Sequence, residues 1–287
     1  MSQEYDRRTE DVGNIVALEH INICMPDQRL ATLFYVSGLG LTRDPYLVTG
    51  VRNMWVNVGR NQFHLPTDAP QKLRGRVGLV LPDLDALLGR LEAVREPLAD
   101  TAFEFVAEGD CVEVRCPWGN HLICHAPSPR FGPVALGMAY VELDVSPGAA
   151  PGIAKFYSEV LKAPAVTEGT VAVVSIGTCQ SLVFRETADP QLEYDGHHIQ
   201  IYLADFSGPH ALLLERDLIT EESNRCQYRF EDVVDLETGA VLTKLEHEVR
   251  SMTHPLYARP LVNRDPARSN VSFAVGHEAR SWALPPD

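Results

Sequence analysis

The order of apolar and polar residues divides the first part of the chain into short strands and one helix. The segment "ALEHINICM" (17–25) alternates with a period of two, and "PDQRLATLFYVSGLG" (26–40) is typical of a short helix that ends at glycine. Two further strands, "MWVNVG" (54–59) and "RNQFHLPT" (60–67), are joined by a tight turn. The pattern predicts a strand, a helix and a small antiparallel meander.

The same order of elements recurs along the chain. The segment "GRVGLVLPDLDALLGRLEAV" (75–94) contains a strand, a Pro-Asp helix start and an amphipathic helix, and strands such as "CVEVRCPWG" and "NHLICHAP" follow it. After a linker rich in Pro and Gly (126–137), "MAYVELDVSPGAAPGIAKFYSEVLKAP" repeats the beginning of the chain, and "GHHIQIYLADF" opens a fourth unit. We therefore predict an α+β protein built from four βαβββ modules.

The two halves of the chain repeat with a period of about 120 residues, which is longer than the unit of a solenoid array. We therefore predict two tandem domains, at residues 15–127 and 134–264, followed by a C-terminal tail that extends to residue 287.

The segments "LEHINICMPD", "GRVGLVLPDLDALLGRLEA" and "CPWGNHLICHAP" resemble the modules of the vicinal oxygen chelate (VOC) superfamily. This superfamily includes glyoxalase I, bleomycin-resistance proteins and extradiol ring-cleavage dioxygenases, and the two tandem pairs of modules most resemble the dioxygenases. The resemblance covers roughly residues 15–250. It implies two tandem glyoxalase-like domains, each curled around a cavity that, in members with chemistry, holds a divalent metal such as Fe, Mn, Zn or Ni.

The resemblance places metal ligands at the start of the first strand and near the end of the last strand of each module. In the second half these positions are Tyr140, Leu182, His198 and Thr243. We expect His198 to bind the metal. Because Thr243 is not a ligand type, we expect Glu246 to supply the carboxylate, provided that a bulge turns Glu246 or Glu248 inward.

In the first half the corresponding positions are His20, His64, Arg76 and Ile123. Arginine is a poor neighbour for a metal cation but a good partner for a substrate carboxylate or phosphate. We therefore expect His20, His64 and Arg76 to bind substrate. Two alternatives stay open: these histidines could hold a metal with help from His121 or His125, or the first half could serve only as a scaffold.

Further side chains are expected to face the second cavity. Period-two alternation brings Gln180 and Gln200 to it as substrate-binding residues. The segment 245–266 is dense in charge and histidine, and is either a surface strand with an ordered tail or a cavity wall. In the second interpretation Tyr257 and Arg259 bind substrate, and the expected proton donors are Tyr140, His247 and His254.

Composition limits the classes of partner. The formal net charge is −14, from 25 basic and 39 acidic residues, so the chain lacks the basic footprint of a nucleic-acid-binding protein. No apolar run is long enough for a transmembrane helix, and the polar N-terminus is not a signal peptide. The six cysteines form no CxxC pair. We expect a cytoplasmic protein with reduced thiols and a small-molecule substrate; whether it forms a homodimer stays open.

Two functions are compatible with the sequence. The first is a metal-dependent enzyme, dioxygenase-like or a lyase or isomerase, in which the metal chelates vicinal oxygens of a small oxygenated metabolite. The second is a metal-free protein that sequesters a small molecule, similar to the bleomycin-resistance branch. The presence of three nitrogen or oxygen ligands in one cavity distinguishes them.

Overall fold

The four predicted modules are present in the computed structural model, which describes residues 5–44 and 52–261. Each module consists of a strand, a helix and three further strands. Module 1 contains β1 (Ile15–Asn22), α1 (Gln28–Ala31) with a π-helical continuation (Thr32–Gly38), β2 (Thr42–Arg43), β3 (Asn53–Val58) and β4 (Asn61–Pro66). Module 2 contains β5 (Gly75–Val80), α2 (Leu84–Ala93), β6 (Glu104–Glu108), β7 (Cys111–Arg115) and β8 (His121–His125).

The second half repeats this order with longer strands in its last module. Module 3 contains β9 (Gly137–Val145), α3 (Ala150–Glu159), β10 (Ala165–Glu168), β11 (Val171–Ser175) and β12 (Ser181–Glu186). Module 4 contains β13 (His198–Leu203), α4 (Ser207–Glu215), β14 (Ile219–Asn224), β15 (Gln227–Val234) and β16 (Val241–Ser251). Short 3₁₀ helices occur at Arg7–Glu10, Glu96–Leu98 and Pro129–Phe131. The predicted α+β class is confirmed.

The strands form two eight-stranded mixed sheets, and each sheet takes one module from each half of the chain. Sheet I has the order β14-β15-β16-β13-β1-β4-β3-β2 and joins modules 4 and 1. Sheet II has the order β10-β11-β12-β9-β5-β8-β7-β6 and joins modules 3 and 2. The antiparallel pairs β1–β13 and β5–β9 connect the modules.

This pairing differs from the prediction that residues 15–127 and 134–264 each form a separate cavity. The repeat pattern identifies the modules. Which two modules pair through their first strands depends on tertiary packing, which the periodicity of the sequence does not reveal. The tail beyond residue 261, in which "VSFAV" suggests another strand, lies outside the described residues.

The helices begin where the sequence predicts, because aspartate side chains cap two of them. Asp27 accepts hydrogen bonds from the backbone N–H groups of Arg29 and Leu30 at 2.7 and 3.0 Å. Asp83 accepts one from Ala86 at 2.8 Å. These bonds satisfy N–H groups that a helix cannot pair internally. Within residues 5–44 and 52–261, no helix is both long and apolar enough to cross a bilayer.

The two faces of sheet I differ in polarity. Along its central strands Ile21, Phe63, Ile199 and Val249 are buried in the apolar core. Helix α3 contacts β11 and β12 of sheet II and β15 of sheet I, so both sheets share one core. Because side chains alternate along a strand, the residues between these apolar ones project from the opposite face. We call that polar side the inner face of sheet I.

Candidate metal centre

A row of polar side chains crosses the inner face of sheet I. Gln200 on β13 is the register partner of His20 on β1 and of Glu248 on β16. One step along the sheet, His198 is the partner of Asn22 and of Glu246. The register therefore brings together residues that are far apart in the sequence.

Three of these residues form a compact donor set, which we call the triad: His20, His198 and Glu248. One ligand atom from each residue lies within 4.8 Å of the other two. All three residues are buried, with exposed fractions of 0%, 8% and 4%. Two imidazoles and one carboxylate are the donor set typical of non-haem Fe(II) sites that keep open positions for substrate.

Both imidazoles are in the protonation state that metal binding requires. Burial, followed by the positive charge of Arg229 and Arg250, lowers the pKa of His198 to about 3. Burial is also the main cause that lowers the pKa of His20 well below its usual value. The Nε2 atoms of both rings are buried and have no hydrogen-bond partner. Neutral rings with unpaired nitrogens are suited to a cation.

Two arginines hold the carboxylate of the triad. Arg250 Nη2 lies 2.6 Å from Glu248 Oε1, and its Nη1 lies 3.1 Å from Glu19. Arg229 donates to Glu248 Oε2 and to Glu246. Three carboxylates, those of Glu248, Glu19 and Glu246, therefore contact these two guanidinium groups.

The residues present fit a divalent cation. The two imidazole Nε2 atoms have no hydrogen-bond partner within the described parts of the chain, and a carboxylate lies beside these rings. A carboxylate has about four lone-pair sites, so Glu248 can accept hydrogen bonds from arginines and still ligate a metal. The structure thus provides the carboxylate of Glu248. The sequence predicted an inward-facing carboxylate on this strand only if the strand contained a bulge.

That bulge lies in the last hairpin. Phe230 pairs with His247, but Asp232 pairs with Lys244, so β16 has one residue more than β15 between the two pairs. The extra residue changes the face on which the following side chains lie. The predicted ligand Glu246 also lies near His198, with 3.3 Å between its Oε1 and His198 Nδ1, but it does not belong to the triad.

Aromatic stacking supports one side of the triad. His64 is stacked between Trp55 and His20, with 3.6 Å between ring centroids on each side. Gln62 donates to Asp44 at 2.5 Å, which leaves its Oε1 to face His64 Nε2 at 3.0 Å. His64, predicted to bind substrate, therefore lies beside the triad with its ring orientation fixed.

Gln200 also lies at the triad, as predicted from strand alternation. Its side chain is fully buried, and neither its Oε1 nor its Nε2 has a hydrogen-bond partner. Because an unpaired buried amide costs about 1–3 kcal/mol, its position is more consistent with contact to a ligand than with a structural role.

Residues 257–261 form part of the wall of a cavity beside the triad. Tyr257 packs edge-on against Tyr202, with 4.8 Å between ring centroids. Arg259 pairs with Asp44 at 2.6 Å. Glu19 joins these residues in lining a cavity of about 760 Å³, and its Oε2 lies 3.4 Å from His20 Nδ1. The cavity-wall interpretation of this segment agrees with these contacts.

His254 lies three residues before the first wall residue, Tyr257. Burial, followed by the charge of Arg250, lowers the pKa of His254 to about 4. Its Nδ1 accepts a hydrogen bond from the backbone N–H of Leu256 at 3.2 Å. The ring is therefore neutral near pH 7, with its Nε2 as the hydrogen-bond donor.

Four predicted site residues lie elsewhere. His247 faces the core, where it is 2.6 Å from Tyr157 Oη and is stacked on Phe230, because the bulge turns it away from the inner face. The other three, which are Tyr140, Arg76 and Gln180, belong to the sheet II side because module 3 pairs with module 2. The amide of Gln180 is bonded to the backbone of Leu18 and Met138.

Comparisons with solved structures define the fold. Glyoxalase I from Zea mays has a TM-score of 0.55 at 12% identity, with 86% of this chain and 95% of that chain covered. A proposed dioxygenase from Bacillus subtilis has a TM-score of 0.54 at 17% identity, with 83% and 86% covered. No family model matches the sequence, and no curated protein matches it. At these identities the similarity concerns the fold alone.

Proposed function

Because the chain has the fold of the vicinal oxygen chelate superfamily, we propose that it is a metal-dependent enzyme acting on a small oxygenated metabolite. His20, His198 and Glu248 would hold the metal. The observation that carries the proposal is this buried triad, in which one ligand atom of each residue lies within 4.8 Å of the other two. Each histidine also has an Nε2 without a hydrogen-bond partner. Two His and one carboxylate favour Fe(II) or Mn(II); Zn and Ni are the other candidates.

A bound divalent cation would supply Lewis-acid polarisation of two adjacent substrate oxygens and, as Fe(II), access to dioxygen chemistry. The chain's own residues would orient the substrate. Gln200 offers an amide donor and acceptor beside the triad. Tyr257 and Arg259 line the adjacent cavity, and Arg259 offers a positive charge to an oxygen-rich substrate.

Proton transfer would fall to residues on the sheet I side. Tyr140 and His247, two of the predicted donors, lie away from the triad. His254 is the remaining predicted donor, and its neutral ring, with Nδ1 occupied by the Leu256 N–H, would offer its Nε2–H to a substrate oxygen.

One observation favours a second candidate function, a metal-free protein that binds and sequesters a small molecule. Both oxygens of Glu248 already contact arginines, so the carboxylate has cationic partners without a metal. In this case His20, His198 and Gln200 would hydrogen-bond the ligand directly. The metal content of the purified protein distinguishes the two functions.

The first experiment is elemental mass spectrometry of native protein purified without a His-tag or chelator. About one Fe, Mn, Ni or Zn per chain is the expected result for three buried ligands. Less than about a tenth of an equivalent, with none regained on reconstitution, would contradict the enzyme proposal and favour ligand sequestration.

A pair of adjacent histidines provides the matched control. The change His198→Ala removes a triad ligand and should abolish bound metal. His197→Ala removes a buried ring that pairs instead with Asp195 at 2.7 Å, so it should keep the metal even if it lowers stability. Equal metal content in the two variants would exclude His198 as a ligand.

We further propose that the protein works in the reducing cytoplasm. All six cysteines are free thiols. Cell fractionation tests this location, and recovery from a periplasmic or membrane fraction would contradict it.

A further inference from the structure

The inner face of sheet II has its own cavity, but its side chains are of a different type. Glu142 holds the place in sheet II that Gln200 holds in sheet I, because Arg76 on β5 and Val183 on β12 are its register partners. Arg76 and Val183 therefore occupy the positions of the first histidine and the carboxylate of the triad. Tyr140, the partner of Gly78, occupies the position of the second histidine. Arginine, valine and tyrosine form no metal site at these positions.

Arginines dominate the polar part of this cavity. Arg76 donates to Glu142 Oε1 at 2.9 and 2.6 Å, and Arg185 reaches both Glu142 oxygens at 3.2 Å. Arg130 is a third lining arginine and has no ion-pair partner within residues 5–44 and 52–261. Three arginines and two carboxylates, Glu142 and Glu168, line this cavity. Such a group of arginines is unusual in a chain with a net charge of −14.

The side chains of Arg76 and Arg185 are 41% and 45% exposed, whereas that of Glu142 is 9% exposed. The carboxylate thus lies beneath two guanidinium groups whose outer N–H donors face the cavity. A guanidinium group has five donors in a planar fork, so one carboxylate leaves donors for a second anion. Glu142 therefore fixes the orientation of both arginines and leaves some of their N–H donors available to a ligand.

A tyrosine and a histidine add neutral hydrogen-bonding groups. Tyr140 Oη lies 3.0 Å from His125 Nε2. The tyrosine ring fits here only because residue 78 is a glycine. A Cβ atom at Gly78 would lie 2.1 Å from Tyr140 Cε1. The fold therefore makes room for this ring at the cavity surface.

The rest of the wall is apolar. Phe131, Val171, Val173 and Val183 line the same cavity, whose volume is about 780 Å³. That volume is within the range of about 300–1,000 Å³ that small-molecule sites occupy. A cavity lined by both arginine donors and valine side chains matches a ligand with an anionic head and a hydrocarbon body.

We propose that this cavity is a second ligand site, separate from the metal centre, that binds a small organic carboxylate through Arg76, Arg130 and Arg185. The hydrocarbon part of the ligand packs against Phe131 and the valines of β11 and β12. The site holds its ligand by charge-assisted hydrogen bonds and needs no metal.

The test uses isothermal titration calorimetry with 4-phenylbutyrate and with its neutral amide, 4-phenylbutanamide. The carboxylate should bind at least about tenfold more tightly than the amide. The double change Arg130→Gln with Arg185→Gln should weaken carboxylate binding by about tenfold or more, and Arg130→Gln alone should weaken it severalfold. The single variant removes no ion pair and so keeps the test independent of folding.

Two controls separate this site from the rest of the molecule. Arg95→Gln removes an exposed arginine outside the cavity, paired with Glu92 at 2.8 Å, and should leave binding unchanged. His198→Ala disables the metal centre and should also leave binding unchanged, whether or not that centre proves to hold a metal. Equal binding of the amide, equal binding by the double variant, loss of binding in His198→Ala, or no binding at about 1 mM probe would each overturn the proposal.

Discussion

At the scale of single residues, the metal centre depends on which glutamate of β16 reaches the two histidines. Glu248 is the register partner of Gln200 and joins the triad, whereas Glu246 is bonded to Arg229 beside it. Both carboxylates lie on the inner face, and both contact the same arginine. They therefore form a matched pair in which only one is expected to ligate a metal.

The change Glu248→Gln should lower metal affinity by at least about tenfold, because a neutral amide is a weaker ligand for a cation than a carboxylate. Glu246→Gln should retain most of the metal. Equilibrium dialysis against Mn(II) measures both affinities. A larger loss of Mn(II) affinity in Glu246→Gln than in Glu248→Gln would instead identify Glu246 as the ligand, as the sequence predicted.

The sequence identified His198 and Gln200 as cavity residues because strand alternation is a local property. It did not select Glu248, because one extra residue in β16 determines on which face of sheet I the Glu248 side chain lies. The local sequence pattern does not mark that extra residue. It also assigned His20 to substrate rather than to metal. That assignment followed from pairing module 1 with module 2, whereas His20 lies next to His198 in the sheet.

At the scale of elements, the Pro-Asp sequences fix where helices begin. Asp83 caps α2 through Ala86, whereas Asp85 lies in the first turn and makes no capping bond. The modules themselves were predictable because caps and period-two strands are encoded locally. The pairing of modules was not, because β1 and β13 are separated by most of the chain and their apolar patterns would suit either neighbour.

The change Asp83→Ala should lower the free energy of unfolding by about 1 kcal/mol, since it removes the cap of α2. Asp85→Ala should cost no more than about 0.3 kcal/mol, because the higher helix propensity of alanine offsets the lost interaction of the carboxylate with the helix dipole. Urea denaturation followed by circular dichroism measures both. An equal loss in the two variants would show that the side-chain bond to Ala86 contributes little.

At the scale of the whole molecule, the reactivity of the cysteine thiols measures how well the shared core is protected from solvent. Cys116 and Cys124 are buried, and Cys179 is exposed beside the arginine-lined cavity. Burial raises the pKa of Cys124 to about 12, so its thiol stays protonated at pH 8. Cys124 is therefore protected from thiol reagents both by its burial and by the absence of the reactive thiolate.

Labelling with a thiol reagent at pH 8 should therefore show a fast phase from Cys179 and no reaction of Cys124 until the protein unfolds. Cys179→Ser should remove the fastest phase and leave the slower labelling of the half-buried Cys24, Cys111 and Cys226, and Cys124→Ala should leave the fastest phase intact. Mass spectrometry of timed samples identifies the labelled residues. Rapid labelling of Cys124 in native protein would mean that the sheets separate more readily than one continuous core allows.

The joining of the first and last modules in sheet I has a consequence for synthesis on the ribosome. His20 and Glu248 are 248 − 20 = 228 residues apart, so at about 5–20 residues per second the first strand leaves the ribosome about 10–45 s before its partner is made. Modules 2 and 3, adjacent in sequence, can form sheet II during that interval. Module 1 meanwhile exposes the edge of β1, and a chain truncated before module 4 would carry that unpaired edge as an aggregation site.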